Sequence, residues 1–293
     1  MTAVPTTAAP ARAVRAAAAA ALLVAALTAC GGGGTPRSQD AAADQLSADP
    51  VTAVRDAADI TGRTGSVHAA TELTTESSAK KASFTGTGGY DYVKRIGRLD
   101  VDVPPGAATT GKIAEVVMPG IVYLQNSGAQ NSGTKIPDGK WVKLDVRQLP
   151  DGNLVSSGAT DPASATGALR GVLKAELVGP ETVGGEELKH YRGTLDLAKA
   201  AEATGGRGAD GLRMAAQTFV VKEVPYEVWL DGQGRVHKLV ENFTFAGVAG
   251  SKDPKDQVKV VSTVSLTEFG KPVEAAEPTG DQLYSPPPAT PAK

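Results

Sequence analysis

The side chains able to do chemistry are few and scattered. The three histidines, His68, His190 and His237, stand too far apart for a zinc motif such as H-E-x-x-H, whose two imidazoles must share one helix face. His68 falls on the polar side of an alternating stretch and His237 just after a turn, so both read as solvent-exposed. No G-x-S-x-G elbow presents a serine nucleophile. Acids cluster at Glu186-Glu187 and between Asp253 and Asp256, in polar runs that read as solvated loops rather than as the walls of a hydrolytic cleft. Gly206-Arg207-Gly208-Ala209-Asp210-Gly211 matches G-x-G-x-x-G, but helix-like Asp196 to Ala203 precedes it where a dinucleotide site needs a strand. It reads as a glycine-rich loop between helices. No catalytic residue, metal site or cofactor is expected, and the chain reads as a non-enzyme.

One side chain stands out by position. Cys30 is the only cysteine, which excludes an intramolecular disulfide and a cysteine-based zinc cluster. Arg12 and Arg15 flank an apolar run from Ala16 to Leu27, and small residues precede Cys30, the three parts of a secretory signal. The run is well short of the roughly 20 residues that a membrane-spanning helix needs. Leu27-Thr28-Ala29-Cys30 is similar to the bacterial lipobox, in which the thiol takes a diacylglyceryl group and the chain is then cut before it. Residues 1–29 are therefore expected to be a lipoprotein signal peptide. Cys30 becomes the lipidated N-terminus at the extracytoplasmic face of the cell membrane. Two acyl chains, at about 0.8 kcal/mol per buried methylene, make a durable anchor where one would not.

The chain has 30 basic and 32 acidic side chains. Two of the basic ones are Arg12 and Arg15, so the part from Cys30 onward carries 28 against 32, a formal charge of −4. That balance gives no footprint for nucleic acid. Residues 30–49 open with Gly31 to Gly34 and stay poor in apolar side chains, as a flexible tether does; 19 such residues span about 25 Å. At the other end Pro278, Pro286 to Pro288 and Pro291 mark 273–293 as a disordered Pro-rich tail. One domain is expected between, over 50–272.

The elements that would build this domain are legible from caps and periods. Asp49-Pro50 and Asp161-Pro162 each place an N-cap acid before a proline at the first helical position. Val51, Val54 and Ala58 then share one helix face, and Ala165, Leu169, Val172 and Leu173 another. A third helix carries Leu212, Ala215, Ala216 and Phe219 after Asp210. Ser66 to Glu76 alternates, with Val67, Ala69, Thr71 and Leu73 opposite His68, Glu72, Thr74 and Glu76. Tyr191 to Leu197 and Val258 to Leu266 alternate in the same way. Tyr226 to Leu230, the turn Asp231-Gly232-Gln233-Gly234 and Arg235 to Phe245 read as a hairpin. Gly120-Ile121-Val122-Tyr123-Leu124-Gln125 and Lys140-Trp141-Val142-Lys143-Leu144-Asp145 form a second pair whose aromatics would line a pocket or cover a core edge.

In order and spacing, these features resemble the actinobacterial LppX/LprG family of lipoproteins, whose fold is similar to that of the lipoprotein carrier LolA. The likeness runs over about residues 50 to 270. It rests on the lipobox, the tether, the first helix and its strand, the V-Y-L and G-K-W-V-K-L-D segments, the helix before Glu176-Leu177, Tyr191 to Thr194, and Tyr226 to Val236. High Ala, Gly, Val and Arg usage fits a GC-rich actinobacterial genome. The resemblance implies an α+β fold, a strongly curved antiparallel sheet or half-barrel packed with a few amphipathic helices. It also implies lipid binding and lipid transport, with an acylated lipid or glycolipid held in an apolar cavity and moved through the envelope. Leu73, Val122, Leu124, Leu169, Val172, Leu173, Leu195, Val228, Val260 and Val264, on the inward-reading faces, are the expected lining. Gly184-Gly185 and the run Gly205, Gly206, Gly208 and Gly211 would supply a flexible gate. The alternative is a protein-interaction or sensor lipoprotein with a filled core and no lipid cargo.

Overall fold

A computed structural model describes residues 46–78, 80–104, 111–127, 137–155, 159–245 and 256–284. The expected leader, Cys30 and most of the expected tether lie outside them.

Asp49-Pro50 and Asp161-Pro162 each start a helix. Asp49 accepts the Thr52 N–H ahead of α1 (Pro50–Arg63), and Asp161 accepts those of Ala163 and Ser164 ahead of α2 (Pro162–Ala168). α1 buries Ala53, Val54, Ala57, Ala58 and Ile60 on one stripe. Asp196 caps α3 (Leu197–Thr204), and α4 (Asp210–Thr218) buries Leu212 and Ala215. No helix among the described residues is long and apolar enough to cross a membrane.

Among the described residues eleven strands form a single antiparallel sheet. They are β1 (Ser66–Glu76), β2 (Lys81–Asp91), β3 (Ile96–Val103), β4 (Gly111–Met118), β5 (Ile121–Ser127) and β6 (Val142–Asp145), then β7 (Val172–Val183), β8 (Glu186–Asp196), β9 (Glu223–Leu230), β10 (Val236–Phe245) and β11 (Val258–Thr267). Their order, β6-β5-β4-β3-β2-β1-β11-β10-β9-β8-β7, is two meanders joined where the first strand pairs with the last. The ends do not meet, so the sheet is an open half-barrel with helices against its concave face. α2 touches β2, β10 and β11, while α1 touches β7 and β10. Curvature has a local cause in β2 and β3, where a Cβ at Gly88 would lie 1.9 Å from the Arg98 carbonyl oxygen. Register shifts in β7 and β10 add bends.

Alternation along β1 is as expected, with Val67, Ala69, Thr71 and Leu73 buried. Three expectations change. Val172 and Leu173 open β7 instead of extending the second helix, because a single 3₁₀ turn (Leu169–Gly171) follows α2. A Cβ at Gly171 would lie 2.1 Å from the Asp196 carbonyl oxygen, and that close approach directs the chain into the sheet. Leu197 begins α3 rather than ending a strand, since the Asp196 carboxylate takes the next free amides. In the β9–β10 turn Gly234 alone of the two glycines takes a positive φ, +86°, and the Asp231 carboxylate organises the rest by accepting from the Gln233 and Arg235 amides.

Of the expected disordered tail, residues 273–284 are ordered, while 285–293 lie outside the described residues. Residues 273–284 lie against the convex face of β3 to β6. Val273 is buried beside Gly89 on β2, Ala275 and Leu283 pack on a second core of Ile96, Val116, Tyr123 and Trp141, and the Tyr123 hydroxyl donates to Glu277. Trp141 and Tyr284 complete a short backbone bridge, with Trp141 N–H to the Gln282 carbonyl at 2.8 Å and Tyr284 N–H to the Trp141 carbonyl at 2.8 Å. The segment orders because β4 and β5 are apolar on both faces, and the outer one needs a cover.

Candidate functional site

The main cavity opens between the helix layer and one end of the sheet, with a volume of about 520 Å³. Its walls come from six places: the C-terminal half of α1, the β2–β3 turn, the β4–β5 turn, the stretch from Val146 to Asn153 after β6, α2, and the junction of α3 with α4. Apolar surface is supplied by Ala58, Val117, Met118, Ile121, Val122, Val146 and Leu212, and by the rings of Tyr90 and Tyr92, 5.1 Å apart and edge-on. Arg63, Arg95 and Arg170 bring charge to the same lining.

The polar groups inside are held individually. The Tyr92 hydroxyl lies 3.4 Å from the Thr166 hydroxyl on α2. Burial pushes the Tyr90 and Tyr92 phenols well above their ordinary range, with Asp161 pushing the same way, while Arg95 pulls Tyr90 down and Arg170 pulls Tyr92 down. Both hydroxyls stay protonated. Asp161 is itself raised by burial, against the hydrogen bonds from Ser164 and Ala163 that make it the α2 cap. Asn153 donates to Glu115, and its own carbonyl oxygen is buried without a partner. Of the three non-glycine residues with positive φ among the described residues, Arg95 (+59°) and Asn153 (+66°) both line this cavity. Strain of that kind, of order 1 kcal/mol or more per residue, collects at functional sites.

The expected lining residues fare differently. Val122 does line the cavity. Leu73, Leu169, Val172, Leu195, Val228, Val260 and Val264 are each at most 2% exposed and belong to the packed core, against which Leu124 also packs. Leu173 is half-buried at the start of β7. Apart from Leu173, which follows buried Val172 in β7 and so lies on the opposite face, these residues are buried or packed on the core, and most of them meet packed side chains instead of the cavity. Alternation says which face is inside, and cannot say whether a helix fills the space opposite. Tyr90, Tyr92, Met118, Asn153 and the arginines were missed because turns and strand ends carry no period; the aromatic pair after Gly88-Gly89 was the available signal. Tyr123 and Trp141 line no part of this cavity and lie under the residue 273–284 segment. Of the two glycine stretches, the second borders the cavity through Gly208 and Gly211, whereas Gly184 and Gly185 turn β7 into β8 away from it.

Outside the cavity the histidines sit among acids. The His190 ring stacks on Trp229 at 4.2 Å, with Glu227 at 2.8 Å and Glu181 at 3.2 Å. His237 is not solvent-exposed as its position after a turn suggested. Its side chain is 14% exposed, between Asp231 at 3.1 Å and Glu186 at 3.3 Å. His68, on the polar face, faces the Pro272 carbonyl oxygen at 3.0 Å. Among the described residues no group of three His, Cys, Asp or Glu is placed to hold a metal ion.

An open half-barrel with helices in its concavity and a ligand-sized space between them is the class of protein that the geometry defines. Solved structures similar to this chain include Mycobacterium tuberculosis lipoprotein LppX, at 12% identity and a TM-score of 0.44, covering 76% of this chain and 96% of that one. Another is LprF from Mycobacterium bovis, at 14% identity and 0.42, covering 80% and 100%. A LolA superfamily protein from Nitrosomonas europaea matches at 11% identity and 0.28, covering 75% and 93%. These are similarities of fold. No protein-family model matches the chain, and no curated protein matches it.

Proposed function

We propose that this protein is a membrane-tethered lipoprotein that binds an acylated lipid or glycolipid in the cavity between its helices and its sheet and carries it through the cell envelope. The observation that supports this most is the cavity itself. Its volume falls within the roughly 300–1,000 Å³ of small-molecule sites, and aliphatic side chains and two protonated tyrosines form much of its wall. An acyl chain needs such a wall and no catalytic group. Cys30 would anchor the carrier, the tether would let it leave the head groups, and the run Gly205 to Gly211 at the cavity's border would act as the gate.

Native mass spectrometry of the full chain carrying Cys30→Ser, so that any added mass is non-covalent, tests the reading. A discrete increment that organic extraction releases as acylated lipid is the expected result. A clean unliganded mass, persisting with lipids supplied in excess, would overturn it and favour a protein-interaction or sensor role.

A further inference from the structure

Arg63 ends α1, Arg95 closes the β2–β3 turn and Arg170 follows α2, so three separate elements bring a guanidinium to one cavity. A fourth, Arg207, lies across the β4–β5 turn, 3.0 Å from where a Cβ on Gly120 would stand and 3.5 Å from the Gly120 carbonyl oxygen. The acids nearby are largely committed. Asp59 holds Arg170 at 2.5 Å, Asp145 is shared by Arg147 and Arg207, and the buried Asp161 caps α2.

Arg95 is the telling member. The Asp91 carboxylate accepts the Val93 and Lys94 amides, and that turn delivers Arg95 in a left-handed conformation that a non-glycine residue rarely takes. Among the described residues no carboxylate pairs with it. Its guanidinium leans toward Gly208, where an added Cβ would lie 3.7 Å from one Nη, and its charge is felt at the buried Tyr90 hydroxyl. A left-handed backbone thus places Arg95, exposed and without a carboxylate partner among the described residues, at the edge of a cavity with a mixed apolar and polar lining. A guanidinium in that position suits a carboxylate or phosphate oxygen pair better than water does, because its fork matches their geometry.

We infer that the cavity mouth is an anion subsite, with Arg95 as its centre and Arg63 and Arg170 beside it, and that the ligand is an amphiphile with an anionic head group. This rests on the lipid-binding reading and narrows it. Neutral acyl lipids would enter the same cavity but leave the subsite empty.

The test is displacement of a fluorescent fatty-acyl probe from the full chain carrying Cys30→Ser, by oleate, by oleyl alcohol and by inorganic phosphate. Oleate should bind about 5- to 20-fold more tightly than oleyl alcohol, a preference that Arg95→Gln removes and Arg95→Lys partly restores. Arg192→Gln, on the outer face and paired with Glu176, should keep the preference and controls for net charge. Equal affinities for oleate and the alcohol, or a preference untouched by Arg95→Gln in a variant that keeps its native circular dichroism, would overturn the subsite while leaving lipid binding intact. Failure of both oleyl compounds would sink the lipid reading instead. Displacement by inorganic phosphate alone, with no oleate preference, would assign the cations to a free anion and overturn the head-group inference.

Discussion

Glu241 sits where a carboxylate has no business being. It lies on the inner face of β10 between Leu239 and Phe243, with no solvent exposure and no hydrogen bond to either carboxyl oxygen. Its cross-strand neighbours are Ser262 on β11 and Tyr226 on β9. Both are engaged elsewhere, Ser262 with the Thr160 hydroxyl at 2.7 Å and Tyr226 with the Lys174 carbonyl oxygen at 3.1 Å. Burial alone pushes its carboxyl from an ordinary 4.5 up to about 8. The folded chain therefore keeps this proton while the unfolded chain has already released it. Stability from this group is full below about pH 4.5 and is lost steadily as the pH rises toward 8. At about 1.4 kcal/mol per pH unit the loss across that window is of order 5 kcal/mol, a large part of a typical domain's stability. Glu241→Gln keeps the shape and removes the titration. Urea unfolding followed by tryptophan fluorescence, at intervals from pH 4.5 to 9, should show the wild-type protein losing stability relative to the variant by several kcal/mol up to pH 8, then running parallel to it. Glu241→Leu should cancel the slope and raise stability at pH 7 as well, since it also removes the buried unpaired oxygens. A wild-type-to-variant difference that stays constant across the whole range would refute the burial of an unpartnered carboxyl.

Two further predictions concern packing, one beside the cavity and one on the outer face of the sheet. Gly152 has φ +62°, and a Cβ there would lie 2.2 Å from the Gly211 carbonyl oxygen, so Gly152→Ala should push α4 from the Leu149–Gly152 turn and cost about 2–4 kcal/mol. Thermal unfolding measures it, and a midpoint within about 1 °C of wild type would count against that packing. Ending the chain at residue 272 removes the cover from Trp141, now 7% exposed, so tryptophan emission should shift to the red and the unfolding midpoint should fall. An unchanged spectrum would mean that the 273–284 segment does not pack there.

Much of the fold was legible because its signals are local. An aspartate before a proline and ahead of an apolar run is a strong helix start, and Asp49-Pro50 and Asp161-Pro162 both act as one, whereas Glu277-Pro278, with no such run after it, sits in extended chain. The period of two in β1 and β11 survives into the structure residue by residue, since one face of each strand meets the core along its length. Local signals failed where two elements compete for one stretch. Val172 and Leu173 fit the helix face of Ala165 and Leu169, but the approach of Gly171 to Asp196 directs them into β7. The residue 273–284 segment is Pro-bearing and sparse in apolar groups, and its order comes from a surface over 100 residues earlier in the chain.

From the sequence alone come the leader and lone cysteine as an expectation, the absence of a recognisable catalytic motif, the helix starts, and which face of each clear strand turns inward. Only the tertiary structure decided that eleven strands make one open sheet, that most inward faces are filled by helices, and that the remaining space is walled by Tyr90, Tyr92, Asn153 and arginines from distant turns. The difference is physical. A cap or an alternating strand is specified by neighbours in the chain, whereas a cavity is what remains after every element has found its packing partner, and no single segment encodes what it fails to fill.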